Sequence, residues 1–166
     1  MLMNEKELEV LQILEGDARI SIETIADMVE LTEEEVQNII KSLEEREIIL
    51  NYQTVINWDK APIDDGVAAM IDVKVAPKRD VGFDSLAERI YRFPEVKAVY
   101  LMSGAYDLSV QIEGKSMKEV AFFVSNKLST LDSVLSTTTH FLLKKYKHDG
   151  IIFESDKKDK RIVVSP

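Results

Sequence analysis

The chain has 166 residues, 45% of them hydrophobic, with a formal net charge of −9 and no cysteine. The cysteine count excludes disulfides, thiolate metal sites and cysteine nucleophiles. Neither a basic leader with an apolar stretch nor a run near the ~18 apolar residues of a membrane span is present, so a cytoplasmic protein is expected. The charge is uneven. Residues 1–60 hold 5 Lys/Arg against 15 Asp/Glu, whereas residues 61–166 hold 16 against 15.

A first helix is predicted from a capping box, Asn4 with Glu7, followed by Leu8, Leu11 and Leu14 at helical spacing until Gly16. Ser21 starts a second, whose Ile22, Ile25, Ala26 and Val29 give an i, i+3, i+4, i+7 face. Thr32 and Glu35 cap a third, with Val36, Ile39 or Ile40, and Leu43 inward. The short Glu30-Leu31 joint between the second and third helices matches a helix-turn-helix. The β-rich stretch Ile48–Ile56 reads as a wing or an extended connector. Pro62 and the Asp64-Asp65-Gly66 turn then mark a domain boundary.

From Val67 the period becomes two: Val67, Ala69, Ile71, Val73 and Val75 alternate with Asp72 and Lys74 until Pro77. A helix carrying Phe83, Leu86, Ala87 and Ile90 follows, with Pro94 beyond its end. Val96–Ser103 and Tyr106–Ile112 are predicted to pair as a hairpin about Gly104-Ala105. Ser116 and Glu119 cap a helix bearing Met117, Val120, Ala121, Val124, Leu128 and Leu131. A strand from Val134 to about Leu143 closes a β-α-β-β-α-β set, a ferredoxin-like order with helices on one sheet face and the other free for a partner. In the tail, an Asp149-Gly150 turn, Ile151-Ile152-Phe153, the charged run Asp156–Arg161 and Ile162-Val163-Val164 read as a surface hairpin or edge strand rather than a membrane or nucleic-acid element. The fold class is α+β: a winged helix-turn-helix over residues 1–62, a ferredoxin-like domain over 65–145, and a tail over 146–166.

In this order, a helix-turn-helix, a β connector and a βαββαβ module containing Gly104-Ala105-Tyr106-Asp107-Leu108 resemble the leucine-responsive regulatory protein (Lrp/AsnC) family over residues 4–145. Asp17-Ala18-Arg19-Ile20-Ser21 and the exit from the third helix, Leu43-Glu44 to Ile48-Ile49, carry the rest of the likeness. The resemblance implies a transcription regulator with a RAM-type second domain. It also implies a homo-oligomer, a dimer often built into a tetramer or octamer, with an amino acid bound between subunits and no other cofactor. Family members usually carry several basic residues in the third helix. Here only Lys41 is cationic in Gln37–Ser42, and Glu33, Glu34 and Glu35 crowd the first turn, where carboxylates favour the helix dipole.

If that helix docks in a major groove of double-stranded DNA, Gln37 and Asn38 are the candidate base readers through bidentate amide pairing to adenine. Ser42 lies on the same stretch, and Lys41 and Arg46 are candidates for phosphate. So few cations predict weak binding with a shallow salt slope, reinforced by several protomers on one duplex. For the effector, Asp107 is expected on the sheet face opposite Tyr106 and Leu108, holding a ligand ammonium. Gly104 would allow close approach, Tyr106 belongs to the same hairpin, and the Thr137 and Thr139 hydroxyls would meet a carboxylate. His140 and His148 lack an acid cluster, and no P-loop, H-x-x-x-H or nucleophile-elbow pattern occurs, so neither catalysis nor a metal site is expected. The competing reading is a metabolite-sensing oligomer whose acidic helix-turn-helix contacts a protein instead of DNA. A structural scaffold with neither response is the third.

Overall fold

Local capping sets the helix starts in the computed structural model, which describes residues 3–61, 66–76 and 82–153. Pro62, Asp64, Asp65, Pro77 and the run from Asp156 onward lie outside the described residues. The chain divides into two units, residues 1–56 and 57–166.

In the first unit, α1 spans Glu5–Gly16, and its capping box is complete: the Asn4 side chain accepts from Glu7 N–H at 2.7 Å and the Glu7 carboxylate accepts from Asn4 N–H at 2.9 Å. Ser21 caps α2 (Ile22–Val29), and a second reciprocal box, Thr32 with Glu35, opens α3 (Glu33–Glu45). Between α2 and α3 the chain turns through Glu30 in the left-handed region, φ 55°, a position that ends the helix abruptly. Val10, Ile25, Ala26, Val29 and Val36 form the core, with Ile13, Leu14, Ile20, Leu31, Ile39 and Ile40 against it. Burying each large aliphatic side chain contributes about 1.5–3 kcal/mol before entropy is counted. The α1 face differs from the one expected: Leu8 is 48% exposed, and Glu7 and Val10 are the buried positions. The inward stripe is Glu7–Val10–Ile13–Leu14: Val10 joins the core with Ile13 and Leu14 packed against it, and Glu7 at its edge pairs with Arg46 at 2.6 Å. Residues 48–57 contain no strand, so the stretch is a connector; the helical unit offers it no strand to pair with.

Glu7 also titrates in a telling direction. The Asn4 backbone N–H, and then the Arg46 guanidinium, hold its carboxyl below the usual 4.5. The unfolded chain therefore takes up this proton first as pH falls. Its contribution to stability is complete above pH 4.5 and is lost as pH drops through the lower folded value. Melting of the helical unit should fall in acid, and Glu7→Gln should lessen that fall; an unchanged acid limb would remove Glu7 from the account.

In the second unit, a 3-10 turn (Trp58–Lys60) precedes β1 (Val67–Val75), α4 (Phe83–Tyr91), β2 (Val96–Leu101), β3 (Leu108–Gly114), α5 (Met117–Phe123) and β4 (Val134–Phe141). The strand order is β2-β3-β1-β4, with every pairing antiparallel. This is the expected ferredoxin-like arrangement. Ala69, Ile71 and Val73 of β1 and Leu108, Val110 and Ile112 of β3 pack against Leu86 and Ile90 of α4 and Val120 and Phe123 of α5. Gly66 opens β1 at φ 75°, and a Cβ there would lie 2.4 Å from the Gly114 carbonyl oxygen, so that entry admits only glycine.

Two helical details depart from the periodicity. Met117 and Ala121 are exposed while Val120 and Phe123 are buried, and beyond them a π turn at Val124–Leu128 places the next buried residue, Leu128, five positions after Phe123. Ser116 accepts from Glu119 N–H, but the Glu119 carboxylate turns to Lys115 N–H, so this cap is not reciprocal. The tail forms the expected hairpin, β5 (Lys147–His148) with β6 (Ile151–Ile152). Asp149 and Gly150, both at positive φ, make its turn.

Candidate functional site

Helix α3 offers one face to its core and one to solvent. Val36 and Leu43 are buried, whereas Gln37, Asn38 and Lys41 are exposed together at i, i+1 and i+4. Ser42 is half-buried, turned from that face. Lys41 Nζ lies 3.8 Å from Glu45 in a pair exposed on both sides, which adds little and exchanges readily for another anion. Arg46 has a partner within its own unit. Its guanidinium donates to the buried Glu7 carboxylate at 2.6 Å, so it ties the end of α3 to the start of α1. Glu35 is likewise occupied: its carboxylate accepts from Thr32 N–H and hydroxyl, both at 2.8 Å, and these bonds hold its pKa below the usual value. Glu33 and Glu34 remain solvent-facing.

The expected tight turn about Gly104-Ala105 is a longer loop. Strand pairing ends at Leu101↔Leu108, and Met102 N–H donates to the Asp107 carbonyl at 2.9 Å, so residues 102–107 make the connection. Within it, Asp107 Oδ2 accepts from Val75 N–H at 2.8 Å and lies 3.5 Å from Lys74 Nζ. Lys74 also donates to the Ala105 carbonyl at 3.1 Å. The Asp107 side chain is 22% exposed, and among the described residues its second oxygen accepts no hydrogen bond. A carboxylate has room for more than these partners.

Tyr106 departs from the expected alternation. Lying in the loop rather than in β3, its hydroxyl reaches Thr138 Oγ1 at 2.8 Å, on β4. Thr138 pairs with Asp72, on the face away from the helices, whereas Thr137 and Thr139 pair with the core residues Val73 and Ile71. Thr137 and Thr139 thus share the helix side and do not meet Asp107. The hydroxyl run Ser136–Thr139 has no polar–apolar alternation to reveal this, and a slip of one residue exchanges the faces. Nothing lies within 4 Å of the place a Cβ on Gly104 would take, so no contact among the described residues requires glycine there. The sequence reading passed over Lys74 and Thr138. Lys74 was legible as the polar alternate of Val73 and Val75, but its partner required the β1–β3 register.

The sheet face opposite the helices carries Met70 and Tyr100, 38% and 52% exposed, with Asp72 paired to His140 at 3.1 Å. Among the described residues no cluster of three or more metal-ligating side chains occurs, and no helix is long and apolar enough to cross a membrane.

Comparison with known proteins agrees with both halves. The winged helix-turn-helix DNA-binding family matches residues 3–49, and the Lrp/AsnC ligand binding domain matches residues 68–152. The uncharacterized HTH-type transcriptional regulator YugG of Bacillus subtilis (strain 168) is 61% identical over the full length of both chains. In fold, the chain is similar to the transcriptional regulator NMB0573 of Neisseria meningitidis, solved as a complex with L-Met, at TM-score 0.71 and 22% identity over 89% of this chain and 94% of that one. It is similar also to AsnC of E. coli, at TM-score 0.69 and 19% identity over 89% and 97%. With a helix-turn-helix whose polar face is open and a four-stranded α+β unit that both match, the chain belongs to the Lrp/AsnC family of transcriptional regulators, built of a DNA-binding and a ligand-binding domain and not an enzyme.

Proposed function

We propose that this regulator acts in the cytoplasm as a homo-oligomer that reads DNA through Gln37, Asn38 and Lys41 and responds to a free amino acid. The observation that carries the effector reading is the clustering of Asp107, Lys74, Tyr106 and Thr138. Opposite charges and two hydroxyls within a few residues suit a zwitterion: Asp107 for the ammonium, Lys74 or a hydroxyl for the carboxylate. The L-Met complex of the Neisseria regulator supports the same class of ligand. Assembly is supported by the exposed Met70 and Tyr100 on the sheet face without helices, which a second copy would cover.

Light scattering with and without an amino-acid mixture tests assembly and response together. The wild type should exceed monomer mass, and Tyr100→Glu, which places a charge on that face, should return it to monomer. A monomeric wild type at micromolar concentration would overturn the assembly reading. A second reading is favoured by the acidity of residues 1–60, −10 in net charge: the helical unit contacts a protein instead of DNA. Absence of any mobility shift on the gene's own upstream region, with and without amino acids, would select it.

A further inference from the structure

Four cations stand between residues 3 and 56: Lys6, Arg19, Lys41 and Arg46. Three are engaged, Lys6 with Glu9 at 2.9 Å, Lys41 with Glu45 at 3.8 Å and Arg46 with Glu7 at 2.6 Å. Arg19 is different. It is exposed, and among the described residues its guanidinium makes neither an ion pair nor a hydrogen bond.

The local chain explains why. Asp17, the acid nearest in sequence, accepts the backbone N–H of Arg19 on Oδ1 at 2.9 Å instead of its side chain. The Asp17 N–H donates to the Ile13 carbonyl at 2.9 Å, and its own carbonyl accepts Ile20 N–H at 3.3 Å. On the other side, Ile20 packs against the helical core and Ser21 caps α2 through Thr24 N–H at 3.1 Å. The backbone at Arg19 is therefore pinned from both sides while the side chain stands in water.

We infer that Arg19 is a DNA-phosphate contact of this helix-turn-helix, contributing affinity without sequence preference. The inference rests on the DNA-binding reading. In a helix-turn-helix the first helix crosses the phosphate backbone while the second enters the groove, and Arg19 lies three residues before the first residue of α2, the leading helix of the pair. A guanidinium offers a planar fork that matches phosphate oxygens, and such contacts position the protein without reading bases. A cation already bridged to a carboxylate must exchange one anion for another on binding DNA. Arg19 gives up only water, so in an acidic unit it counts for more than its share of the charge.

The test is the salt dependence of full-length protein binding to two short duplexes of equal length, one random in sequence and one from upstream of its own gene. Arg19→Gln should reduce the slope of log Kobs against log salt by about 0.9 for each Arg19 that reaches a phosphate. It should weaken both duplexes by the same factor and leave thermal melting of the free protein unchanged. Arg19→Lys should keep the wild-type slope, and Lys6→Gln, which removes a paired cation on α1, should not alter it. An unchanged slope in Arg19→Gln, or an equal loss in Lys6→Gln, overturns the inference while DNA binding itself stands. A wild type that binds neither duplex removes the DNA reading first, and the inference with it.

Discussion

Ile25→Ala should unfold the N-terminal helical unit near ambient temperature and leave the α+β unit folded. Ile25 is fully buried at the centre of a core made only of residues from the first unit, and the second unit has its own separate core. Truncating a buried isoleucine to alanine costs about 2–5 kcal/mol through lost transfer energy and the cavity left behind. A unit of this size holds roughly 3–8 kcal/mol in total, at about 0.05–0.15 kcal/mol per residue, so the substitution removes most of its stability. Calorimetry should resolve two transitions in the variant, the lower belonging to the helical unit, with DNA binding lost and assembly and ligand response retained. Met28→Ala on the same helix is the control: Met28 is exposed, and its loss should change stability by no more than about 0.5 kcal/mol. One transition moving as a whole would mean that the two cores do not melt independently.

Asp107 should separate structural from ligand effects through two substitutions. Its carboxylate accepts the Val75 N–H, and Asp107→Ala strands that donor at a cost of about 1–3 kcal/mol, lowering the melting temperature of the α+β unit. Asp107→Asn keeps an acceptor at the same place and should melt close to wild type. Both remove the negative charge proposed for the ligand ammonium. Both should therefore abolish the upward thermal shift that the effective amino acid produces in a panel on the wild type. A shift that persists in Asp107→Asn would take Asp107 out of the pocket, and its geometry would then serve only to lock the loop onto β1.

Much of the fold was legible because it is written in local patterns. The Asn4–Glu7 and Thr32–Glu35 boxes start helices where the spacing placed them, and the α2 stripe Ile25, Ala26, Val29 is the buried one. In β1 the period-two pattern names the core residues Ala69, Ile71 and Val73. The candidate site was read less well. The charge of Arg46 is visible in the sequence, but its partner, Glu7, is distant in it. Tyr106 left the expected face because the strand begins at Leu108, and the choice of Thr138 over Thr137 and Thr139 depended on pairing with β1.

The division follows the range of the forces. Capping bonds and amphipathic periods act within one or two turns, so residue order by itself determined the helix starts, the alternation of β1 and the sequence of elements that defines the family. Partners of charged and polar groups are chosen across the fold. Only the assembled structure decided that Arg46 belongs to Glu7, that Lys74 meets Asp107, and which threonine shares a face with Tyr106, because strand register and helix packing set those distances.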